Sequence, residues 1–260
     1  MQIGLNLYSI RNLIQTEDEF VNTCKTLKEY GYSFIQYSGL PIHVDWIKRQ
    51  LKEVGLPVKL THVSSDRILN ELDKVILEHK QIGCNYIGIG GIFDDAGRDF
   101  EVFKSVIDAL NKKAKIIKDN QMEFFYHNHM HEFQTQPNKK TWYDYIIENA
   151  KNVNFTLDTY WVYRGGVDIY NVIEKISGRV QCVHFKDHKV VVNGEKGTQP
   201  SHVNEECACG DGTLDFIGIY NAVKKAGAEY VIVEQDNAAL KPNTLEEVKK
   251  SIDYLNSILN

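Results

Sequence analysis

Histidine and carboxylate side chains end several short apolar runs in the second half of the chain. They are His127 and His129 in YHNH, Asp158 in TLD, His184 in CVH and Glu234 in VIVE. Carboxylates that converge on one point repel one another and are costly to bury unless a cation neutralises them. A mixture of Asp, His and Glu suits a divalent ion, and Mn²⁺, Mg²⁺, Co²⁺, Fe²⁺ and Zn²⁺ are all compatible. The residues therefore predict a metal site if the fold brings these runs together.

Eight β-rich runs alternate with longer segments of helical period along the whole chain. The helical segments carry apolar residues every three or four positions, as helices lying on a sheet require; examples are Asp18 to Tyr30, Ile68 to Gln81 and Phe100 to Lys118. The predicted strands are Ile3 to Tyr8, Phe34 to Tyr37, Lys59 to Val63, Tyr86 to Ile89, Glu123 to His129, Asn154 to Leu157, Val180 to His184 and Tyr230 to Glu234.

This alternation predicts an α/β fold, a single (β/α)8 TIM barrel that occupies residues 1–260 as one domain. An open doubly wound sheet is less favoured, because Gly4 stands alone where a phosphate-binding glycine motif would follow the first strand. In a barrel, the carboxyl ends of all strands meet at one mouth. The histidine and acidic residues would therefore share that mouth.

The composition of the chain indicates which partners and which cellular compartment to expect. The formal charge is −5, and the 30 Lys and Arg residues are spread along helical segments, which disfavours a nucleic-acid partner. We expect no membrane insertion and no export, because the sequence has neither a long apolar run nor a leader-like start. The five cysteines are an odd number without paired CxxC spacing, so a disulfide framework is not expected and a cytoplasmic location is predicted.

Five stretches resemble the xylose-isomerase-like barrels, a superfamily of sugar phosphate isomerases and epimerases, inosose dehydratases and endonuclease IV-type enzymes. The stretches are YHNHMHEF (126–133), LDTYWVYRGG (157–166), GRVQCVHFKDH (178–188), GDGTLDF (210–216) and IVEQD (232–236). The similarity runs from the first strand to the last. It implies the barrel fold and a small-molecule carbohydrate as the substrate. It is also compatible with a homo-oligomer.

The resemblance implies one divalent ion, with Mn²⁺ favoured, held by an acidic residue, Asp, His and Glu from strands five to eight. Asp158, His184 and Glu234 match the last three positions. The strand-five position, commonly Glu in the family, is occupied here by His127. Either His127 binds the metal, or Glu132 reaches back from the turn and leaves the histidines free for proton transfer. We favour Glu132, because a third carboxylate better holds a hard ion.

The predicted chemistry begins with a carbonyl polarised by the metal, which makes the proton on the neighbouring carbon removable. The first hypothesis is an isomerase or epimerase of a ketose or keto-sugar, with His127, His129 and Glu234 as catalytic residues. The alternative is a lyase or dehydratase of the inosose-dehydratase or 3-keto-glycoside-cleaving type, since the histidine-rich YHNH stretch resembles that branch. Endonuclease activity is disfavoured, because the related endonucleases need more histidines and a basic DNA groove.

Further side chains at the strand ends are candidates for contacting the sugar, each with a structural alternative such as core packing or a salt bridge between Lys186 and Asp187. His131 is expected at the surface. The long polar segment 187–211 is a candidate lid. The predicted substrate-binding residues are His62, Lys186, Trp161, Tyr8, Arg164 and Gln235.

Overall fold

The chain forms a closed barrel of eight parallel strands, as the alternation predicts. The computed structural model describes residues 1–195 and 199–259. Around the barrel the strands follow the order β1-β10-β7-β6-β5-β4-β3-β2. The barrel strands are β1 (Gln2–Asn6), β2 (Phe34–Tyr37), β3 (Val58–His62), β4 (Tyr86–Ile89), β5 (Glu123–His127), β6 (Val153–Asp158), β7 (Cys182–Phe185) and β10 (Tyr230–Val233).

Ten α-helices surround the barrel in the residues that the structure describes, and the three helical segments named from the sequence all fall on helices. The expected helix from Ile68 to Gln81 is two helices, because Glu71 has a non-helical backbone that ends one and precedes the next. No helix in the described ranges has both the length and the apolar character that a membrane crossing requires. The helices are α1 (Glu17–Glu29), α2 (Val44–Glu53), α3 (Ser65–Asn70), α4 (Leu72–Ile82), α5 (Phe100–Asp119), α6 (Trp142–Asn149), α7 (Thr159–Arg164), α8 (Ile169–Lys175), α9 (Phe216–Ala226) and α10 (Thr244–Leu259).

The barrel interior is a layer of packed side chains. Phe34, Leu60, Phe125, Cys182 and Ile232 are fully buried and contact one another inside the barrel, apart from the larger core between sheet and helices. Successive side chains of a strand point to opposite faces, so the residue two positions further along also points inward. This layer therefore serves as the floor on which the polar residues of the mouth rest.

The residues two positions beyond that layer are all polar. They are Gln36, His62, His127, His184 and Glu234, one each from β2, β3, β5, β7 and the end of β10. The strand register brings Asp158 of β6 beside His184 of β7. The in–out alternation of side chains along each strand thus places these polar residues at the mouth of the barrel.

Most of the segment 187–211, the candidate lid, forms an antiparallel hairpin. Strand β8 (Asp187–Asn193) pairs with β9 (Ser201–Cys207) over seven residue pairs. Three consecutive β-branched residues, Val190 to Val192, favour a strand, a signal that the polar residues around them obscured in the sequence. Residues 196–198, within the expected lid, lie outside the described residues.

A buried histidine connects one helix to the sheet. His79 of α4 is fully buried, with Nδ1 2.7 Å from the Val75 carbonyl oxygen and Nε2 2.7 Å from the Thr61 hydroxyl. A carbonyl oxygen only accepts, so Nδ1 carries the proton and Nε2 accepts from Thr61. Burial lowers the pKa of His79 to about 4, although the hydrogen bond with Val75 opposes the shift. The neutral imidazole is therefore the form that the fold requires.

We predict that His79 makes the protein less stable in mild acid. Between the unfolded pKa of about 6.5 and the folded value, the unfolded chain binds a proton that the folded chain does not, so stability falls as the pH falls. At pH 5 the loss from this residue is about 2 kcal/mol. Urea unfolding at pH 7.5 and pH 5 measures it. His79→Gln should shrink the acid loss, whereas His202→Gln, at an exposed hairpin position, should not; equal losses in all three proteins would contradict the prediction.

Candidate metal centre and active-site cavity

Four buried side chains converge at the mouth of the barrel. His127, Asp158, His184 and Glu234 each offer a ligand atom, and these atoms all lie within 4.8 Å of one another. His127 Nε2 is 3.3 Å from an Asp158 oxygen, and His184 Nδ1 is 3.6 Å from the same oxygen. His184 Nδ1 also lies in very close contact with Glu234 Oε2. The structure thus brings strands five, six, seven and ten together at one point.

Neighbouring groups orient both imidazoles toward that point. His184 Nε2 lies 2.7 Å from the side-chain oxygen of Gln36, which can only accept, so Nε2 donates to Gln36 and Nδ1 is turned toward the two carboxylates. His127 Nδ1 faces the Gly90 carbonyl oxygen at 3.5 Å, which directs Nε2 inward. Such partners of the second ring nitrogen are characteristic of metal-ligating histidines. Gln36 was not anticipated from the sequence, since nothing in β2 marks it.

The electrostatics of the group fit a bound cation. Burial alone would raise the pKa of the Asp158 and Glu234 carboxyls, but the neighbouring histidines hold both values below their usual range. Burial disfavours a charged His184, yet Glu234 and Asp158 outweigh it and raise its pKa to about 9. His184 Nδ1 and Glu234 Oε2 nevertheless lack a hydrogen bond of acceptable geometry. Two buried polar atoms that face each other without a hydrogen bond match a site shaped for an ion.

Glu132, the favoured fourth ligand in the sequence prediction, lies outside this group. Its carboxylate is fully buried, accepts hydrogen bonds from the Tyr126 hydroxyl at 2.7 Å and the His129 backbone N–H at 2.8 Å, and pairs with His131 at 3.1 Å. His131 is mostly covered, so the expectation of a surface residue is corrected. In this structure Glu132 anchors the loop that carries His129.

A cavity of about 480 Å³ opens above the four residues. Two histidines of its wall have a buried nitrogen with no hydrogen-bond partner, His62 at Nε2 and His129 at Nδ1. His62 fits because β4 has glycine opposite it: a Cβ at Gly88 would lie 3.1 Å from the imidazole. The lining residues are Tyr8, Ser38, Gly39, His62, Val63, Ser64, Ser65, Gly90, Gly91, Phe93, His127, His129, Glu234 and Asp236.

An ion-pair cluster covers one side of the cavity. The fully buried ammonium of Lys186 is 2.6 Å from Asp236 and 3.6 Å from Glu206 of the hairpin, instead of pairing with Asp187. Burial and the nearby Glu234 raise the pKa of Asp236 to about 7. Its second oxygen, Oδ1, is buried without a partner. The sequence analysis did not name Asp236 as a site residue, although its position two residues after Glu234 pointed to the same face. Nothing in the sequence marked Glu206.

The remaining candidates for substrate contact divide into two groups. Tyr8 lines the cavity, and Trp161 lies beside it, with its ring 5.0 Å from His129 and its Nε1 buried without a partner. Arg164 is exposed and donates to the Tyr160 hydroxyl at 3.2 Å. Gln235 is buried and donates to Glu247 of α10 and to Asn237. The structure therefore places Arg164 and Gln235 away from the cavity.

The sequence profile of xylose isomerase-like TIM barrels matches residues 24–258. The chain belongs to this family. The fold, the four converging side chains and the cavity at the carboxyl ends of the strands are consistent with membership. The resemblance noted in the sequence is thereby confirmed.

The relatives of this xylose isomerase-like barrel include curated inosose dehydratases. The protein from Mesomycoplasma hyopneumoniae (strain 7448) is 27% identical over 166 residues, 61% of this chain and 55% of the relative. That from Geobacillus thermodenitrificans is 28% identical over 164 residues, 60% of this chain and 54% of the relative. The match thus spans only about half the length of these relatives.

Solved structures share the fold at low sequence identity. A sugar phosphate isomerase/epimerase from Parabacteroides distasonis superposes with a TM-score of 0.76 at 20% identity, covering 98% of this chain and 93% of the other. An L-ribulose 3-epimerase superposes with a TM-score of 0.69 at 16% identity, covering 100% and 95%. These similarities establish the barrel architecture alone.

One aspartate joins the hairpin to the loop that follows it. The Asp187 carboxylate accepts backbone N–H groups from Gly210 at 3.0 Å, Gly212 at 3.1 Å and Leu214 at 3.3 Å. A Cβ at Gly212 would lie 2.2 Å from that carboxylate, so the close approach requires glycine. The hairpin that carries Glu206 is thereby held in place.

We predict that Asp187→Asn destabilises the fold by about 1 to 3 kcal/mol, because the amide nitrogen replaces an acceptor among buried backbone donors. Chemical denaturation measures the loss. Asp211→Asn, the same change at an exposed position of the following loop, should cost less than about 0.5 kcal/mol. A loss at Asp187 no larger than that at Asp211 would show that the carboxylate does not hold the loop.

Proposed function

We propose that this chain is a metal-dependent lyase that eliminates a β-oxygen from an oxo-sugar. The observation that carries the proposal is that two acid–base groups, His129 and Asp236, line the same cavity as His127 and Glu234, each with a buried atom that has no hydrogen-bond partner: Nδ1 of His129 and Oδ1 of Asp236. Elimination needs a base to remove a proton and an acid to protonate the leaving oxygen. The similarity to curated inosose dehydratases supports the same class of reaction.

The proposed ligands of one divalent ion are His127, Asp158, His184 and Glu234. We propose His127 in place of Glu132, because Glu132 already has three partners away from the group. Two imidazoles and two carboxylates suit Mn²⁺, Fe²⁺, Co²⁺ or Zn²⁺, and we keep Mn²⁺ as the first candidate. When bound, the ion would act as a Lewis acid on the substrate carbonyl and acidify the neighbouring C–H.

The protein side chains move the protons. Burial lowers the pKa of His129 to about 3, so its imidazole is neutral in the resting site, and its Nδ1 has no partner. We propose that it takes the proton from the carbon next to the carbonyl, with the negative charge that develops on the substrate offsetting the cost of protonating a buried imidazole. Asp236, with its raised pKa, donates a proton to the β-oxygen as the C–O bond breaks, and Lys186 stabilises the carboxylate that remains. One proton leaves carbon and one joins the departing oxygen, so the products are an unsaturated ketone and water or an alcohol.

The unpartnered cavity groups would bind the substrate hydroxyls. His62 Nε2 and Trp161 Nε1 are buried and lack hydrogen-bond partners, so a polyhydroxylated ligand would satisfy groups that are otherwise costly to bury. Tyr8 completes this wall. All five cysteines are buried and unpaired, which is compatible with the cytoplasmic location that we propose.

Isomerisation or epimerisation of a ketose is the second candidate. The observation that favours it is that Glu234 and His129 both line the cavity from different strands, so either could return a proton to carbon. In the family that this sequence resembles, the strand-five position is commonly a glutamate. Strand five here contributes imidazoles instead, and we therefore rank elimination first.

The ligand assignment predicts which substitutions abolish metal binding. Purified protein loaded with Mn²⁺ and desalted should retain about one equivalent per chain. Glu234→Gln and His127→Leu should lose it, because each removes a ligand. Glu132→Gln is the matched control and should retain the metal. Elemental analysis measures all four proteins; metal lost from Glu132→Gln but kept in His127→Leu would reverse the assignment.

The acid role predicts that Asp236→Asn lowers turnover by about 100-fold or more while metal content is unchanged. A panel of inososes, ketoses and 3-keto-glycosides in heavy water is the assay. Mass spectrometry separates elimination, which splits off water or an alcohol, from isomerisation, which keeps the mass apart from incorporated deuterium. Glu205→Gln, a change of charge on the outer side of the hairpin, should leave turnover intact. Full activity of Asp236→Asn would refute the role of this residue.

A further inference from the structure

A second cavity, of about 470 Å³, adjoins the catalytic cavity. His62, Val63 and Ser64 line both cavities, so one short segment after β3 forms a shared wall. Each volume falls in the range of small-molecule sites. The lining residues of the second cavity are Leu40, Pro41, Ile42, His62, Val63, Ser64, Arg67, Glu71, Lys74 and Glu78.

One wall of the second cavity is apolar. Leu40 and Ile42, in the loop after β2, are half-buried and pack against the hydrophobic core. The Tyr37 hydroxyl donates to the Pro41 carbonyl oxygen at 3.1 Å, which ties this loop to the barrel. The wall therefore offers an anchored apolar surface to a ligand.

The facing wall is charged and internally compensated. Arg67 donates to both oxygens of Glu78 at 3.0 and 2.9 Å, and its Nε lies 3.4 Å from Glu71. Lys74 is 3.6 Å from Glu71. Two cations thus offset two carboxylates, and the wall presents hydrogen-bonding groups without net charge. An uncharged, hydroxyl-rich ligand fits such a wall better than a phosphate or a carboxylate.

We propose that the second cavity is a subsite for the second ring of a keto-glycoside, whose oxidised ring occupies the catalytic cavity. The inference rests on the proposed elimination reaction, with the glycosidic oxygen as the leaving oxygen. A sugar ring has an apolar C–H face and a rim of hydroxyls, which correspond to Leu40 and Ile42 on one side and to Arg67 and Glu78 on the other. The shared segment from His62 to Ser64 would lie beside the bond between the two rings.

The test compares a one-ring with a two-ring substrate. The probes are the 3-keto derivative of methyl glucoside and the 3-keto derivative of a glucose disaccharide. Leu40→Trp fills the second cavity, so the ratio of kcat/KM for the two-ring over the one-ring substrate should fall about tenfold or more. Ile217→Trp, the matched change on the exposed face of α9, should keep the wild-type ratio. An unchanged ratio in Leu40→Trp, or an equal loss for both substrates, would overturn the subsite.

A binding measurement separates this inference from the proposed reaction. Titration calorimetry with the unoxidised disaccharide should give an affinity for the wild type that Leu40→Trp weakens about tenfold. Glu78→Gln, which alters the polar wall without filling space, should weaken it as well, and thermal melts confirm that both variants fold. If wild type binds the disaccharide in this way but transforms neither keto substrate, the reaction fails and the subsite stands. No weakening in either variant would reject the subsite.

Discussion

The constraint on which the mouth of the barrel depends is the burial of several like charges in a small volume. Asp158 and Glu234 meet within 4.8 Å of two histidines, and both carboxylates are covered. Such a group is costly unless opposite charge or hydrogen bonds compensate it. Gln36 and the Gly90 carbonyl fix the imidazoles, and the imidazoles keep the carboxylates ionised. The contacts with Gln36 and Gly90 thus hold the two imidazoles in the orientation that faces the carboxylates.

A second cluster of opposite charges lies just outside the four-residue group. Lys186 is buried among four acids, and their charges outweigh burial and raise its pKa; they are Glu234, Asp158, Asp236 and Glu206. The Trp161 ring lies 4.9 Å from the ammonium and adds a favourable cation–π contact. Lys186 thus connects the ligand group to the hairpin electrostatically. The hairpin therefore contributes a charged side chain, Glu206, to the mouth of the barrel.

The sequence predicted the eight barrel strands because β-rich runs and helical periods alternate without interruption, and it located Asp158, His184 and Glu234 because strand ends share one mouth. It favoured Glu132 over His127 as the fourth member, whereas the structure places His127 in the group and Glu132 outside it. That choice depends on the backbone path after β5 has ended, where period two no longer applies. Gln36 and Glu206 could not be identified from the sequence, because nothing near them in the chain marks the residues that they contact. The hairpin was not predicted, because polar residues surround the three consecutive valines of β8 and β9 contains a single valine.

Glu206 connects the hairpin to the segment that follows the last barrel strand, and this bears on the order of folding. Its carboxylate accepts the backbone N–H of Asp236 at 2.7 Å, just beyond the last barrel strand, and its own carbonyl accepts from Asn237 at 2.8 Å. Lys186 and Glu206 are therefore both in place well before their shared partner emerges along the chain. A nascent chain that has made seven barrel strands still lacks Glu234 and Asp236, two of the acids that surround this lysine. The segment that closes the barrel, where β10 pairs with β1, therefore also supplies the acid of the shorter of the lysine's two ion pairs.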